Sequence, residues 1–361
     1  MNISILLPDL RGGGVERMRL VLAKEFMNAG HNVEFLLMNK RGDLLDEALK
    51  EFTIVDLHVN RLRNLPVALI RYLNINKPDV LLAGMWPLTV IAPTIQRLSR
   101  SHCKVIVSEH AIISAQYHEK GALHRLLLRL SCSVGYRLAH GNIGVSKGVV
   151  KDMENISNLK EENFTVVHNP VSPRHIPNKI TLEMVDKIWS APSGARILSV
   201  GKMKAVKNHA LLIRAFANLT LNDARLVIVG HGECKSDLYD LAVSLGIEEK
   251  VIFAGFHLDP TPFYMTANVF VLSSNFEGFG NVLLEAMANG LSIVSTSCPS
   301  GPCEILDNGR FGYLTPVGDE NAMSNAILKA IHSPFDSDLL KRRARDFKPE
   351  ISAQKYLNLM D

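Results

Sequence analysis

The sequence predicts two doubly wound α/β domains, each built on a parallel sheet, and three observations predict them. Short apolar runs without polar alternation, as strands buried on both faces require, take turns with stretches of helical periodicity. That strand-then-helix beat runs through two series, divided by a stretch punctuated by Pro170, Pro173, Pro177 and Pro192. The length of 361 residues exceeds one ordinary domain and suits two of about 150–180 residues.

In the first series, residues 3–7 form an apolar strand, Gly12, Gly13 and Gly14 a loop, and residues 15–28 a helix periodic through Met18, Val21, Leu22 and Phe26 and closed by Gly30. Further strands fall at 33–38, 54–57, 80–83, 105–107, 143–145 and 164–167. The second series places strands at 196–200, 225–229, 251–254, 269–272 and 292–295, and only helical pattern follows Ala330. The expected domains are 1–169, a linker over 170–194, a second domain over 195–336, and terminal helices over 337–361.

Composition narrows the function. A hydrophobic fraction of 47% with 21% charged residues describes a globular chain with a sizeable core. The net charge of +4 is mild, and zinc-finger spacings, RNP motifs and basic arms are lacking, so nucleic acid is not an expected partner. Five scattered cysteines suit a reducing compartment. Residues 1–10 lack a basic start and are interrupted by Pro8 and Asp9, which argues against a signal peptide. The expectation is a cytoplasmic protein. No metal-ligand spacing stands out, and no cofactor is expected.

The stretch N-F-E-G-F-G-N-V-L-L-E-A-M at 275–287 carries the most chemistry. A buried strand runs into a polar loop and then a helix, with Glu277 in the loop and Glu285 eight positions on. Glycines at a helix N-terminus let backbone approach a ligand, and the unpaired N–H groups there favour a phosphate. Two carboxylates flanking such a cradle suit a sugar, a phosphate and a ribose laid in one line, because carboxylates accept hydrogen bonds from hydroxyls. Cap plus exposed helix glutamate is the plainer alternative. Lys202 and Lys207 follow a strand's C-terminal end, where open α/β sheets bind ligands, and suit a diphosphate. The triglycine at 12–14 lacks G-x-G-x-x-G spacing, which argues against a dinucleotide. His110 lies just beyond the strand at 105–107.

The motif E-G-F-G-x-x-x-x-E at 277–285 resembles the paired-glutamate signature of the retaining glycosyltransferases of family 4, also called group 1. Supporting pieces are V-G-K-M-K-A-V-K-N at 200–208, V-G-H-G at 229–232, S-E-H at 108–110, H-N-P-V at 168–171 and G-P-C-E at 301–304. The resemblance implies the GT-B fold, two Rossmann-like domains facing a cleft, with the acceptor held by the first domain and the nucleotide-sugar by the second. It implies hexosyl transfer with retention and without a metal, from a nucleotide-diphosphate sugar, UDP-sugar favoured, to a glycan or polyprenyl-linked acceptor in bacterial surface polysaccharide assembly. The implied catalytic residues are Glu277, His110, Lys202 and Lys207. Glu285, Gly278, Phe279, Gly280 and Asn281 would hold the donor, with Gly232 and Phe256 at its base and ribose, and Gly13 and Gly14 would line the phosphate and acceptor loop. The family usually has arginine where Lys202 stands; lysine keeps the charge and loses the bidentate fork. A sugar-nucleotide epimerase of the same fold and a non-catalytic nucleotide-sugar-binding subunit are the alternatives.

Residues 122–138 pattern as a helix with an apolar stripe of Leu123, Leu126, Leu127, Leu130, Val134 and Leu138 beside Arg125, Arg129 and Arg137. Two readings follow: the stripe packs on its own sheet and the arginines are solvated, or the helix docks on an anionic membrane at the inner face of the plasma membrane.

Overall fold

The computed structural model describes residues 1–171, 177–190, 194–221 and 223–361, and the prolines of the divider at 173 and 192 lie outside them. Two compact units emerge, Met1–Ser172 with Lys348–Asp361, and Pro173–Phe347. The divider read as a linker also carries the helix Lys179–Trp189.

The first unit is a seven-stranded sheet of β1 (Asn2–Leu7), β2 (Asn32–Leu37), β3 (Thr53–Asp56), β4 (Val80–Gly84), β5 (Lys104–Glu109), β6 (Gly141–Gly144) and β7 (Thr165–Val166). Their order is β3-β2-β1-β4-β5-β6-β7, with parallel pairing throughout. The second unit has β8 (Arg196–Val200), β9 (Arg225–Val229), β10 (Val251–Gly255), β11 (Val269–Leu272), β12 (Ser292–Thr296) and β13 (Tyr313–Thr315), ordered β10-β9-β8-β11-β12-β13, again parallel. Both are Rossmann-like doubly wound sheets. In each, the order reverses between the first and fourth strands, the place where crossovers to opposite faces leave a crevice beyond the strand ends. Strand β13 has no counterpart in the sequence reading, because its three residues are too few to show a period.

Uninterrupted apolar strands make both cores. Ile3, Ile5, Leu7, Phe35, Leu82, Ile106 and Ile143 pack with Leu22 and Phe26 of the helix Gly14–Asn28. The last helix, Pro349–Met360, adds Ala353, Tyr356, Leu357 and Met360 to this core, so the chain's end is structurally part of its beginning. Burying each larger one of these side chains contributes about 1.5–3 kcal/mol. In the second unit Ile197, Leu226, Ile228, Val269, Val271 and Val294 meet Leu212, Phe216, Met323 and Ile327. The helix Lys179–Trp189 is anchored there by Trp189, fully buried, whose indole N–H donates to Thr266 Oγ1 at 2.8 Å.

One sequence expectation is corrected. In the helix Ala122–Leu138 the leucine stripe does not pack on the sheet: Leu123, Leu126, Leu127, Leu130 and Val134 are all at least half exposed, from 51% to 70%. The packed face is Leu128, Cys132, Gly135 and Tyr136. Gly135 sets this choice, since a Cβ there would lie 2.6 Å from Val90 Cα of the helix Leu88–Leu98, a separation open only to glycine. A narrow face of small and polarisable residues lets the two helices approach closely, and the bulkier stripe is turned away.

Gly135→Leu is expected to destabilise the first unit by about 1–3 kcal/mol through overpacking, although leucine is the better helix former by roughly 0.8 kcal/mol. Urea unfolding that showed the variant as stable as the wild type would contradict this account of the helix contact.

Candidate active site

In the second unit the site forms where β8 and β11, neighbours at the reversal of strand order, both end. The loop after β8 carries Lys202 and Lys207, and the loop after β11 carries Glu277. Asn275 N donates to Val206 O at 2.8 Å and Asn208 Nδ2 to Asn275 Oδ1 at 2.9 Å, which ties the loops together. Asn208 reaches this position in a left-handed conformation, φ +46°, one that asparagine tolerates better than most residues. Its side chain also caps the helix His209–Ala217 by accepting from Leu211 N.

Across this junction Lys207 Nζ donates to Glu277 Oε1 at 2.6 Å, and Ser274 Oγ donates to the same oxygen at 2.6 Å. Thr296 Oγ1, from the end of β12, holds Ser274 O at 2.7 Å. Glu277 is 8% exposed, and its Oε2 has no hydrogen bond among the described residues. Lys207 is therefore an ion-paired cation, whereas Lys202 is exposed. Two neighbours register the local charge: burial and then Lys207 push His209 down to about 4. Burial and then Glu277 push the Cys298 thiol up to about 12.

Beyond Glu277 the chain turns through Gly280, φ +97°, into the helix Asn281–Ala288, whose N-terminus has no side-chain cap. Gly278 O accepts from Ser300 Oγ at 2.8 Å. A Cβ on Gly301, in the G-P-C-E motif, would fall 1.9 Å from Phe279 O, so that glycine lets the two loops touch. Phe279 itself is buried against Phe347, ring centroids 5.8 Å apart, so its side chain serves the core. Glu285, one turn into the helix and half-buried, accepts from Tyr264 Oη at 2.9 Å through Oε2. Gly232 packs on Met203, where a Cβ would be 2.2 Å from its carbonyl oxygen, and the exposed Phe256 meets His231 edge-on at 5.4 Å. Glu277, Lys207, Gly278, Gly280 and Asn281 thus share one junction.

In the first unit Gly13 precedes the helix Gly14–Asn28, with its N–H donating to Arg11 O at 2.5 Å, and a Cβ on it would strike Glu16. His110 follows β5, half-buried, with Ser108 Oγ 3.0 Å from its Nε2. Between them in sequence, Glu109 is fully buried on the other sheet face and accepts from Trp86 N at 3.1 Å, Tyr136 Oη at 2.9 Å and Thr89 Oγ1. Burial outweighs these donors and raises its carboxyl to about 7. Among the described residues no group of three or more His, Cys, Asp or Glu side chains is placed to hold a metal. No described helix is long and apolar enough to cross a membrane.

Two family models match the chain, Glycosyltransferase Family 4 over residues 12–175 and Glycosyl transferases group 1 over residues 186–347. The chain belongs to this glycosyltransferase family. Among curated relatives of the glycosyltransferase is the N-acetylgalactosamine-N,N'-diacetylbacillosaminyl-diphospho-undecaprenol 4-alpha-N-acetylgalactosaminyltransferase of Campylobacter jejuni, 32% identical over 64% of this chain and 61% of that protein. The amylovoran biosynthesis glycosyltransferase AmsD of Erwinia amylovora is 26% identical over 81% of this chain and 80% of its own. The aligned part thus spans under two thirds of the Campylobacter enzyme. Among solved structures, HepE of Anabaena in complex with UDP-glucose superposes with a TM-score of 0.82 at 18% identity, covering 99% of this chain and 98% of that one. The lipopolysaccharide outer core galactosyltransferase WaaB gives 0.75 at 21%, covering 99% of each. These neighbours establish the GT-B fold.

Sequence reasoning missed Ser274, Tyr264 and Arg19, which bond to or adjoin the expected residues. Arg19 left a signal: it interrupts the apolar positions Leu22, Ala23 and Phe26 of its helix, a cation on a core face. Ser274 and Tyr264 left none, since neither stands out from strand-end and helix composition.

The Glu109 carboxyl, held at about 7 against an ordinary 4.5, makes a pH-dependent contribution to stability. Its proton is bound more tightly in the folded state, so stabilisation is fullest below pH 4.5 and fades as pH rises through 7. Relative to Glu109→Gln, the first unit should lose about 3 kcal/mol between those limits. In a Trp189→Phe background Trp86 becomes the single tryptophan and reports that unit's urea unfolding; parallel pH profiles for the two proteins would dismiss the effect.

Proposed function

We propose that the chain transfers a hexosyl group, with retention, from a UDP-sugar to a glycan or polyprenyl-linked acceptor in bacterial surface polysaccharide assembly. The observation that carries this reading is the junction of β8 and β11, which gathers Lys207, Glu277 and the start of the helix Asn281–Ala288 at the strand-order reversal of the second unit. Backbone N–H groups at Asn281 and the helix dipole suit the diphosphate, and Lys202 and Lys207 supply charge as it departs. Glu285 accepts from the ribose hydroxyls, Glu277 Oε2 from the sugar, and Gly232 and Phe256 border the base. The first unit takes the acceptor at the Gly13–Gly14 loop and offers His110 to a sugar hydroxyl. UDP in the HepE complexes and the diphospho-undecaprenol in the Campylobacter enzyme's name support the donor and acceptor classes.

The way Glu277 is held supports retention. An inverting reaction needs a base opposite the leaving group, and double displacement needs a carboxylate nucleophile at the reacting carbon. Glu277 has one oxygen committed to both Lys207 and Ser274, which lowers its worth as a nucleophile. The departing phosphate oxygen then takes the acceptor proton, with attack on the same face of a short-lived oxocarbenium-like sugar.

The exposed leucines and Arg125 and Arg129 of the helix Ala122–Leu138 suit peripheral docking on an anionic membrane, where each basic residue near the surface contributes ~1 kcal/mol. Such docking would bring the enzyme to a lipid-linked acceptor.

Four measurements test the reading. Glu285→Ala should weaken UDP binding by about 1.5–3 kcal/mol, Lys207→Ala should lower kcat more than donor affinity, and an α-linked donor should give an α-linked product by anomeric coupling in NMR. A β-linked product overturns the mechanism, and donor turnover with no acceptor present indicates an epimerase instead. For docking, Arg125→Glu with Arg129→Glu should reduce co-sedimentation with anionic vesicles, and added salt should do the same; equal sedimentation of variant and wild type refutes the membrane role.

A further inference from the structure

Tyr264 lies in the short helix Thr261–Thr266 of the second unit, 2% exposed, and its hydroxyl donates to Glu285 Oε2 at 2.9 Å. Among the described residues that carboxylate is the hydroxyl's only partner. Phenylalanine would fill the same space, since the ring packs beside Phe270 of β11, centroids 5.6 Å apart. Taking a hydroxyl out of water opposes folding unless it is bonded, so the oxygen calls for a reason beyond packing.

The donor is firmly placed. Trp189 Nε1 donates to Thr266 Oγ1 at 2.8 Å, and that hydroxyl donates to Pro262 O at 2.8 Å, which pins the helix that carries Tyr264. Burial, and then the charge of Glu285, raise the phenol well above its ordinary range, so it stays protonated and donates. The acceptor is less confined. Its backbone is fixed, the Glu285 carbonyl accepting from Asn289 N at 3.2 Å and Asn289 Nδ2 at 2.9 Å. Its side chain is half-buried, four residues after Asn281 and so about 6 Å along the helix from its start. A long, partly exposed side chain in that place has several rotamers open to it, and a fixed donor selects among them. An ionised carboxylate offers roughly four lone-pair sites, so a bond from Tyr264 leaves capacity for further hydroxyls.

We propose that Tyr264 is a positioning residue that, by bonding to Oε2, sets the Glu285 carboxylate to take the hydroxyls of a ribose, and so makes the second unit prefer a ribonucleotide to one without those hydroxyls. This rests on the proposed ribose role of Glu285. Tyr264 is too deeply buried to meet the nucleotide itself, so it acts through the carboxylate. Setting the rotamer beforehand removes an ordering cost that binding would otherwise carry. The gain falls on the sugar hydroxyls alone and leaves the base and diphosphate contacts as they are.

The test is calorimetry of the full chain with UDP and with 2′,3′-dideoxy-UDP. The wild type should bind UDP about 10–100-fold more tightly, as for hydrogen bonds to a charged group. In Tyr264→Phe, which removes one oxygen and keeps the ring, that ratio should fall by about threefold or more, with binding of the dideoxy nucleotide unchanged. In a Glu285→Ala background the same substitution should leave the ratio where it is, since the cycle isolates what passes through the carboxylate. A hydroxyl that served only the fold would weaken both nucleotides by one factor. An unchanged ratio in Tyr264→Phe, or an equal fall in the Glu285→Ala background, overturns the proposal and leaves the ribose role of Glu285 standing. Equal binding of the two nucleotides by the wild type, or binding of neither, removes that ribose role and the proposal with it.

Discussion

The second unit's site depends on one ion pair. Lys207 and Glu277 stand at the ends of adjacent strands that crossovers on opposite faces keep apart in sequence by 70 residues. Taking both charges out of water opposes folding, and their mutual attraction only partly offsets it. Ser274 adds a further bond to the carboxylate, and Ser273, whose hydroxyl donates to Lys207 O at 2.9 Å, fixes the backbone of the lysine. The pair is a weak source of stability and a strong source of position: it fixes one carboxylate oxygen and leaves the other available. The loop that follows β12 meets the same stretch, through the Gly301 contact with Phe279.

The first unit solves a related problem with the opposite economy. Two of its buried ionisable groups are separated by the sheet, Arg19 on one face and Glu109 on the other, although Ser108 and Glu109 are consecutive. Alternation along a strand makes this separation unavoidable, because neighbouring side chains point to opposite faces. Arg19 and Glu109 then meet neutral partners instead of each other, and Arg19 Nε and Nη1 are left without one among the described residues. A hydroxyl and an aromatic ring serve Arg19; a peptide N–H and two hydroxyls serve Glu109. The S-E-H segment consequently feeds two networks that meet only through the backbone of β5.

How much of this was legible in sequence follows from the range over which each signal acts. Twelve of the thirteen described strands announce themselves, mostly as apolar runs, and β13 with three residues is too short to do so. Glu277, Glu285 and Gly280 are legible because they lie within nine residues of one another around a helix start. The Lys207–Glu277 bond is legible only as two separate candidates, because nothing local specifies that β8 and β11 are neighbours. Lys207, expected as a cation facing phosphate, is ion-paired to a carboxylate that lies 70 residues on in sequence. Phe279 looked like part of the donor loop and its ring belongs to the core.

The helix Ala122–Leu138 shows why periodicity alone could not choose its packed face. Two stripes run along it, one of leucines and one of Leu128, Cys132, Gly135 and Tyr136, and a hydrophobicity pattern favours the former. Packing favours the latter, for Gly135 permits close approach to Val90 and Tyr136 carries a hydroxyl to the buried Glu109 at 2.9 Å. Turning the leucines inward would expose Tyr136 and leave Glu109 with one donor fewer, a buried carboxyl whose unmet bond costs about 1–3 kcal/mol. The polar demand of β5 therefore decides the orientation of the helix, and the leucine and arginine face is left outward as a consequence. The satisfied carboxyl beside His110 and the exposed leucine and arginine face are in this way products of the same constraint.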